Sequence, residues 1–471
     1  MGTPNKELAR RLRAADYFTL GFGACVGTGW IILMGEWLYF AQGPVAAAAG
    51  FGLAFLLMLP LAYCYAELAP MFERSGGAIV YVQKAFGRPV LTFTVAWFML
   101  LAYGVLCPWE TIAIGSLTSE ALSAGVAGAT DSAVAAHGVQ IALGCLLALI
   151  VAAANYFGSQ LMAALQKYLT YLLILTGLAV VVGGFGDGSL AAALHVGTPG
   201  GEGWGQSVAR GTLWMASLAP FFLAGFETVA QGSEERGAIP AARLGKTLVL
   251  ALMSAALFYV LVCFALGASL PDAAYRASEA PKILQTLRSA LHGEALARVA
   301  AIGALAGLVT TFNSFFYGTA RVLLGMGRAG FLPSALARVH PRYGTPHIAI
   351  LVCLVLSVAG PFFGRAWLVP FATIGGIGFV VVYLGGAMAA RRLRKTCPDL
   401  ERPYKMPGGA GMAALGVVTS SVLLALCLVP GLGNALGWPL DYEILGGWCV
   451  LGAATWLVYG RRRHTSADRT T

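Results

Sequence analysis

The chain has 471 residues, 58% of them apolar and only 11% charged, with a mean hydropathy of +0.75 and a formal net charge of +10. A soluble domain carries about 25% charged residues, so this composition argues against an ordinary soluble enzyme and for an all-α, polytopic membrane protein. The basic excess is spread through short loops with no aromatic-interleaved patch, which speaks against nucleic acid as the partner and for the lipid bilayer.

Runs of roughly 20 apolar residues are long enough to cross the hydrocarbon core as helices. Such runs cover 17–40, 45–68, 90–120, 138–156, 163–185, 208–231, 246–268, 296–325, 346–364, 367–390, 412–430 and 441–460, which predicts about twelve transmembrane helices. With the N-terminus inside, only Arg210, Arg276, Lys282, Arg288, Arg298 and Arg365 of the 31 lysines and arginines fall outside. That bias predicts N- and C-termini that are both cytoplasmic. Residues 1–15 are polar and basic and the first apolar run is too long for a signal-peptide core, so no cleaved leader is expected. The 9 cysteines lie singly, without CxxC spacing, so no disulfide framework is expected. The longest loops, 269–295 and 322–345, hold no soluble domain, and any function falls to the helix bundle itself.

Within that bundle the informative positions are those that cost free energy in lipid. The first run contains "GACVGTGWI" at 23–31, where Gly23, Gly27 and Gly29 each weaken a helix by about 1 kcal/mol relative to alanine. The sixth contains "FFLAGFETVAQGSEE" at 221–235, where Ala224 and Gly225 precede Glu227. Irregular backbone at membrane depth survives only where protein or a water-filled cavity satisfies its polar groups. The two segments stand five spans apart, the arrangement of inverted-repeat transporters with broken helices at the bilayer midplane. The other reading is that these glycines merely let helices pack closely. If the helices are broken, N–H groups near Gly27, Thr28 and Gly29 attract a carboxylate, and carbonyls ending the inner half-helices accept an ammonium group. That pair of charges fits a zwitterionic amino acid, or an amine if only the carbonyl half is used.

Three carboxylates, Glu36, Glu110 and Glu227, lie inside spans and are functional candidates on that ground. Glu36 stands near the outer end of its span and has the alternative of simply being wet. Glu110 follows Pro108 and either lines a pathway or makes a structural pair. Glu227 stands beside the second break, where it either exchanges protons or hydrogen-bonds local backbone and holds the break open. Trp30, Phe221 and Phe222 are candidate aromatic lids over a substrate. All 6 histidines fall in loops or tails, and HExxH, GxSxG and P-loop patterns are absent, so neither an enzyme nor a bound metal or cofactor is expected. Nor is a pore loop or a charged ring visible, which argues against a channel.

Several stretches together resemble the amino acid–polyamine–organocation permeases. They are "GACVGTGWI", "YAELAPMFERSGGAIVYVQKAFG" (65–87), "GFETVAQGSEERGAIP" (225–240), "NSFFYGTARVLLGMGRAGFLP" (313–333), "GTP" (344–346) and "CPDLERPYKMP" (397–407). The resemblance covers residues 15–410 and implies a LeuT-type fold: a core over 1–410, with inverted 5+5 repeats at about 16–186 and 207–391 and helices 1 and 6 broken. Residues 411–471 then hold helices 11 and 12 and a cytoplasmic tail. By the same resemblance a substrate carboxylate meets backbone at Val26, Gly27, Thr28 and Gly29. The ammonium meets carbonyls near Ala24 and Phe222, and Ala224 and Gly225 line the break. Phe221 or Phe222 supplies a gate, and Glu227, with Glu110, is the candidate for coupling to protons. Trp30 departs from the usual small residue after the glycine triplet and would reshape the pocket.

Many relatives also carry a lysine seven residues after a helix 5 glutamine. Here that glutamine is Gln166, the count falls on Leu173, and the nearby lysine is Lys167 instead. Sodium near Thr310 and Thr311 is then the alternative to a proton, unless those threonines only bond their own helix. The resemblance thus implies a secondary transporter in the cytoplasmic (inner) membrane, working as a monomer on an amino acid or amine. Its coupling ion stays open between proton, sodium and plain exchange.

Overall fold

The computed structural model describes residues 13–72, 76–122, 133–187, 189–197, 203–235, 240–269, 293–429, 432–433 and 439–460, and all regular structure among them is helical. The protein is an all-α, polytopic membrane protein. Its first apolar run forms three pieces, α1 (Ala14–Cys25), α2 (Gly29–Ile32) and α3 (Met34–Phe40). The axis turns by 71° between residues 14–32 and α3. Two features therefore share one span: a loss of helix at Val26–Thr28 and a sharp bend at Leu33, where the sequence predicts only the first.

The next run, α4 (Pro44–Met71), crosses as one long helix with Pro44 in its first turn, where a missing N–H costs nothing. A short amphipathic helix, α5 (Ala78–Phe86), follows, burying Ile79, Tyr81 and Val82 while Lys84 stays exposed. The third run is α6 (Pro89–Gly104) and α7 (Leu106–Leu122), interrupted at Val105. Pro108 carries no N–H to offer the Gly104 carbonyl one turn back, which is the local reason for that interruption.

Beyond it run α8 (Ala133–Phe157), α9 (Ser159–Asp187) and the single turn α10 (Leu190–Ala193). The sixth run is again broken, into α11 (Trp204–Leu223) and α12 (Thr228–Gln231). Then come α13 (Ala241–Ala268), α14 (Gly293–Arg328), α15 (His347–Ala359), α16 (Leu368–Thr396), α17 (Gly409–Leu428) and α18 (Leu440–Thr455).

Among the described residues nine helices are long and apolar enough to cross a membrane, or ten with the bent span α1–α3. The sequence predicts about twelve, and two of its runs come out short. Over 346–364 the α-helix ends at Ala359 and tightens into a 3-10 turn at Gly360–Phe362, because Pro361 cannot continue the hydrogen-bond ladder. Over 441–460, α18 gives way to a π-helical turn at Trp456–Gly460.

Burial separates centre from rim. In the hydrophobic window of Trp204–Gln231, 89% of residues are buried, against 33% in those of His137–Phe157 and Ala163–Gly186. The span holding the second break is thus wrapped by protein, whereas α8 and α9 turn apolar side chains such as Leu149, Leu175 and Val182 outward, where lipid replaces water as their solvent. The first broken span lies beside it, with α1 packed on α9, α13 and α14 and against α12.

Candidate functional site

The two breaks touch. Gly225, just past the end of α11, has φ +127°, a conformation that glycine tolerates and other residues rarely adopt. A Cβ added there would stand 2.6 Å from backbone atoms of Ala24 and Cys25, so a side chain at 225 is excluded twice over. The Cys25 thiol donates to the Leu223 carbonyl at 3.4 Å, stitching one break to the other.

A small cavity opens where they meet. Ala24, Cys25, Gly27, Thr28 and Gly29 line it from the first break, and Phe221 and Phe222 from the end of α11. Leu106, Trp109 and Glu110 of α7, Tyr259 of α13, and Thr311 and Phe315 of α14 close it, and every one of these residues is buried. At the first break, Gly29 allows close approach: a Cβ on it would come within 2.8 Å of the Phe222 ring. At the start of α2, the N–H groups of Thr28, Gly29 and Trp30 have no carbonyl upstream in their own helix. The Tyr259 hydroxyl donates to the Cys25 carbonyl at 2.8 Å, and the Thr311 hydroxyl donates to the Gly23 carbonyl at 2.9 Å. Two polar side chains of the lining are left over, since neither the Thr28 hydroxyl nor either carboxyl oxygen of Glu110 has a hydrogen-bond partner.

The structure brings together eight of the residues singled out from sequence: Ala24, Gly27, Thr28, Gly29, Glu110, Phe221, Phe222 and Thr311. It sets the others apart. Trp30 is not in the lining; its ring packs edge-on against Phe258 at 5.4 Å and faces Gly303, so it cannot set the pocket's width directly. The reason is helical: Trp30 follows Gly29 by about 100° of rotation and points to the other side of α2. Val26, Ala224 and Gly225 are buried in the packed backbone of the breaks rather than facing the cavity.

Glu227 also lies outside the lining. Its Oε1 accepts from the Tyr103 hydroxyl at 3.2 Å, and its Oε2 accepts from the Tyr383 hydroxyl at 2.9 Å and from the Gly225 N–H at 3.0 Å. Its carboxyl group therefore ties the second break to α6 and α16. Thr310 donates to the Gly307 carbonyl of its own helix at 2.9 Å. Leu173, where the resemblance would put a lysine, is fully buried beside Gly307. Glu36 makes a partly exposed ion pair with Arg365 at 3.2 Å.

Cys25, Leu106, Trp109, Tyr259 and Phe315 are lining residues that sequence reasoning missed. Trp109 had a signal, a tryptophan between a helix-breaking proline and a buried carboxylate. Tyr259 and Phe315 had none, since they reach the cavity from helices that are distant along the chain. A polar ladder was missed too. Asn155 Nδ2 donates to Asn313 Oδ1 at 3.0 Å, Asn313 Nδ2 to Gln166 Oε1 at 2.9 Å, and Gln166 Nε2 to the Thr19 carbonyl at 3.0 Å. It links α8, α14, α9 and α1, and its signal was an amide inside each of three apolar runs.

A bundle of apolar helices with two broken spans around a mostly apolar cavity is the frame of a membrane carrier. The chain belongs to the amino acid permease family, whose model matches residues 13–450. It is similar to a branched-chain amino acid permease of Bacillus subtilis, with 27% identity covering 97% of this chain and 94% of that one. A glutamate/serine transporter of the same organism is 27% identical over 96% of this chain and 86% of its own. A methylthioribose transporter, also of Bacillus subtilis, is 24% identical over 97% of this chain and 95% of its own. These relatives are transporters.

Proposed function

We propose that this protein is a secondary active transporter that carries an amino acid across the cytoplasmic membrane by alternating access around the two broken spans. In this reading it works as a monomer with both termini in the cytoplasm. Its core spans residues 1–410 as inverted repeats at about 16–186 and 207–391, in the LeuT-type arrangement.

The observation that carries the reading is the cavity at the junction of the breaks. It is lined by the backbone of the first break, by aromatic rings and by a few polar side chains, the make-up of a small-ligand site. Aromatic rings cover it, and backbone amides at the start of α2 offer a place for a carboxylate. The relatives differ in what their names say they carry, from branched-chain amino acids to methylthioribose, so the side-chain preference follows from the lining rather than from the family.

For the coupling ion the proton is the leading reading, with Glu227 as the carrier. Sodium at Thr310 and Thr311 is the alternative, since each hydroxyl donates its proton to a carbonyl and keeps its lone pairs for an ion. The test is radiolabelled uptake into proteoliposomes against a panel of amino acids, with imposed proton and sodium gradients. Uptake of at least one amino acid, faster with an inward proton gradient and indifferent to sodium, is expected. Binding without flux would overturn the reading in favour of a sensor. A second reading, an organic amine carrier, is favoured by the charge of the lining, which holds Glu110 and no lysine, arginine or histidine. Uptake of amines in preference to amino acids would establish it.

A further inference from the structure

The described carboxylates of the bundle are treated very differently. Glu67 is paired with Arg394 and Arg402, and Glu234 with Arg328 at 2.9 Å. Glu36 has Arg365. Glu227 has two tyrosine hydroxyls and an amide. Glu110 is as buried as any of these, lines the cavity, and has no partner on either oxygen.

We infer that Glu110 receives the cationic nitrogen of the cargo, so that the site selects molecules carrying an ammonium centre. The inference rests on the transport reading above and deepens it. A buried carboxylate without partners is among the most costly groups a protein can hold. A ligand that brings an opposite charge with N–H donors removes that cost on binding, and a charge-assisted hydrogen bond is the strongest the site can form.

The neighbours of Glu110 in the chain hold it in place. Trp109 Nε1 donates to the Leu368 carbonyl of α16 at 2.9 Å. The Thr111 hydroxyl donates to the Ser357 carbonyl of α15 at 2.8 Å. Tethered on both sides, α7 presents the carboxylate at a fixed position, so part of the ordering cost of binding is already met. The other orphan of the cavity, the Thr28 hydroxyl, lies at the start of α2, where N–H groups also gather. The lining thus holds a carboxylate from α7 and donors from the first break. That combination matches an ammonium and a carboxylate on one molecule. It differs from the expectation that backbone carbonyls alone take the ammonium.

The experiment uses the purified full chain in detergent. Binding is measured for an amino acid that the wild-type protein transports and for the 2-hydroxy acid of the same carbon skeleton. Each is tested on wild type and on Glu110→Gln, with thermal unfolding of both proteins recorded. The amino acid is expected to bind Glu110→Gln about 10- to 100-fold more weakly and the hydroxy acid within about threefold of wild type, at a thermal stability equal to or above wild type, since a neutral amide replaces an unpaired buried carboxylate. Unchanged affinity for the amino acid overturns the inference while leaving the transport reading intact. Equal losses for both cargoes, or a fall in thermal stability that accompanies the loss, overturn it as well, since Glu110 would then be structural. If the hydroxy acid binds neither protein measurably, the amino acid affinity and the thermal stability decide alone. Failure of the wild-type protein to transport any amino acid or amine is a different result, because it removes the reading on which the inference stands.

Discussion

Glu110 and Glu227 are both fully buried, both inside membrane spans, and lie close to the same pair of helix breaks. Glu227 commits both of its oxygens to the fold: a tyrosine from α6, a tyrosine from α16 and the amide of the residue that makes the break. Glu110 commits neither, and it faces a cavity. The same chemical group is thus a fastener in one place and an unsatisfied valence in the other. Two carboxylates of equal burial differ in partners and in the space beside them.

The comparison can be attacked from either side. The largest effect is expected from Gly225→Ala, which puts a Cβ into the backbone of Ala24 and Cys25 at a left-handed φ and so removes the frame on which Glu227 sits. Strain and overpacking together should cost roughly 3–5 kcal/mol, read as a loss of thermal stability or of folded yield in detergent. Glu227→Gln keeps the shape but turns one acceptor into a donor facing tyrosine hydroxyls. It should cost about 1–3 kcal/mol in unfolding and, if Glu227 carries the coupling proton, flatten the pH profile of uptake. An unchanged profile with the stability loss would leave Glu227 a fastener alone.

Trp30→Phe removes packing on Phe258 and Gly303 behind the cavity wall. About 1–2 kcal/mol of stability should go, with the order of preference among cargoes unchanged in a competition assay. A shift towards larger cargoes would return Trp30 to the site. Glu36→Gln breaks a partly exposed ion pair worth at most about 1 kcal/mol, checked by the same unfolding measurement. For Glu110→Gln the unfolding measurement should show no loss and, where the unpaired charge is costly, a gain, the opposite of Glu227→Gln.

Much of the frame was legible because lipid makes exacting demands on sequence. Apolar length located the spans, and the two interruptions stood out since "GACVGTGWI" and "LAGFE" are expensive where no water is near. The first-break residues Gly27, Thr28 and Gly29 and the rings of Phe221 and Phe222 were readable for that reason. Local signals failed where geometry is decided across the bundle. Whether Glu110 or Glu227 has partners depends on Tyr103 and Tyr383, hydroxyls set by helix packing and not by spacing along the chain. The orientation of Trp30 turned on a rotation of α2 that follows from where the helix restarts after the break, a detail below the precision of a sequence pattern. The run at 346–364 comes out short because hydropathy counts Gly360 and Pro361 as compatible with a helix that their backbone ends.

The 71° bend at Leu33 makes α3 a lever. Trp37 stands four residues past the pivot and leans on Phe222, Phe51 and Tyr259, at ring separations of 4.6, 5.1 and 5.7 Å. Four residues of helix are an arm of about 6 Å, so a rotation of about 20° at the pivot carries the indole by roughly 2 Å. A dispersion contact is largely gone over such a distance. The ring contacts that hold Trp37 are therefore sensitive to a small angular change at Leu33.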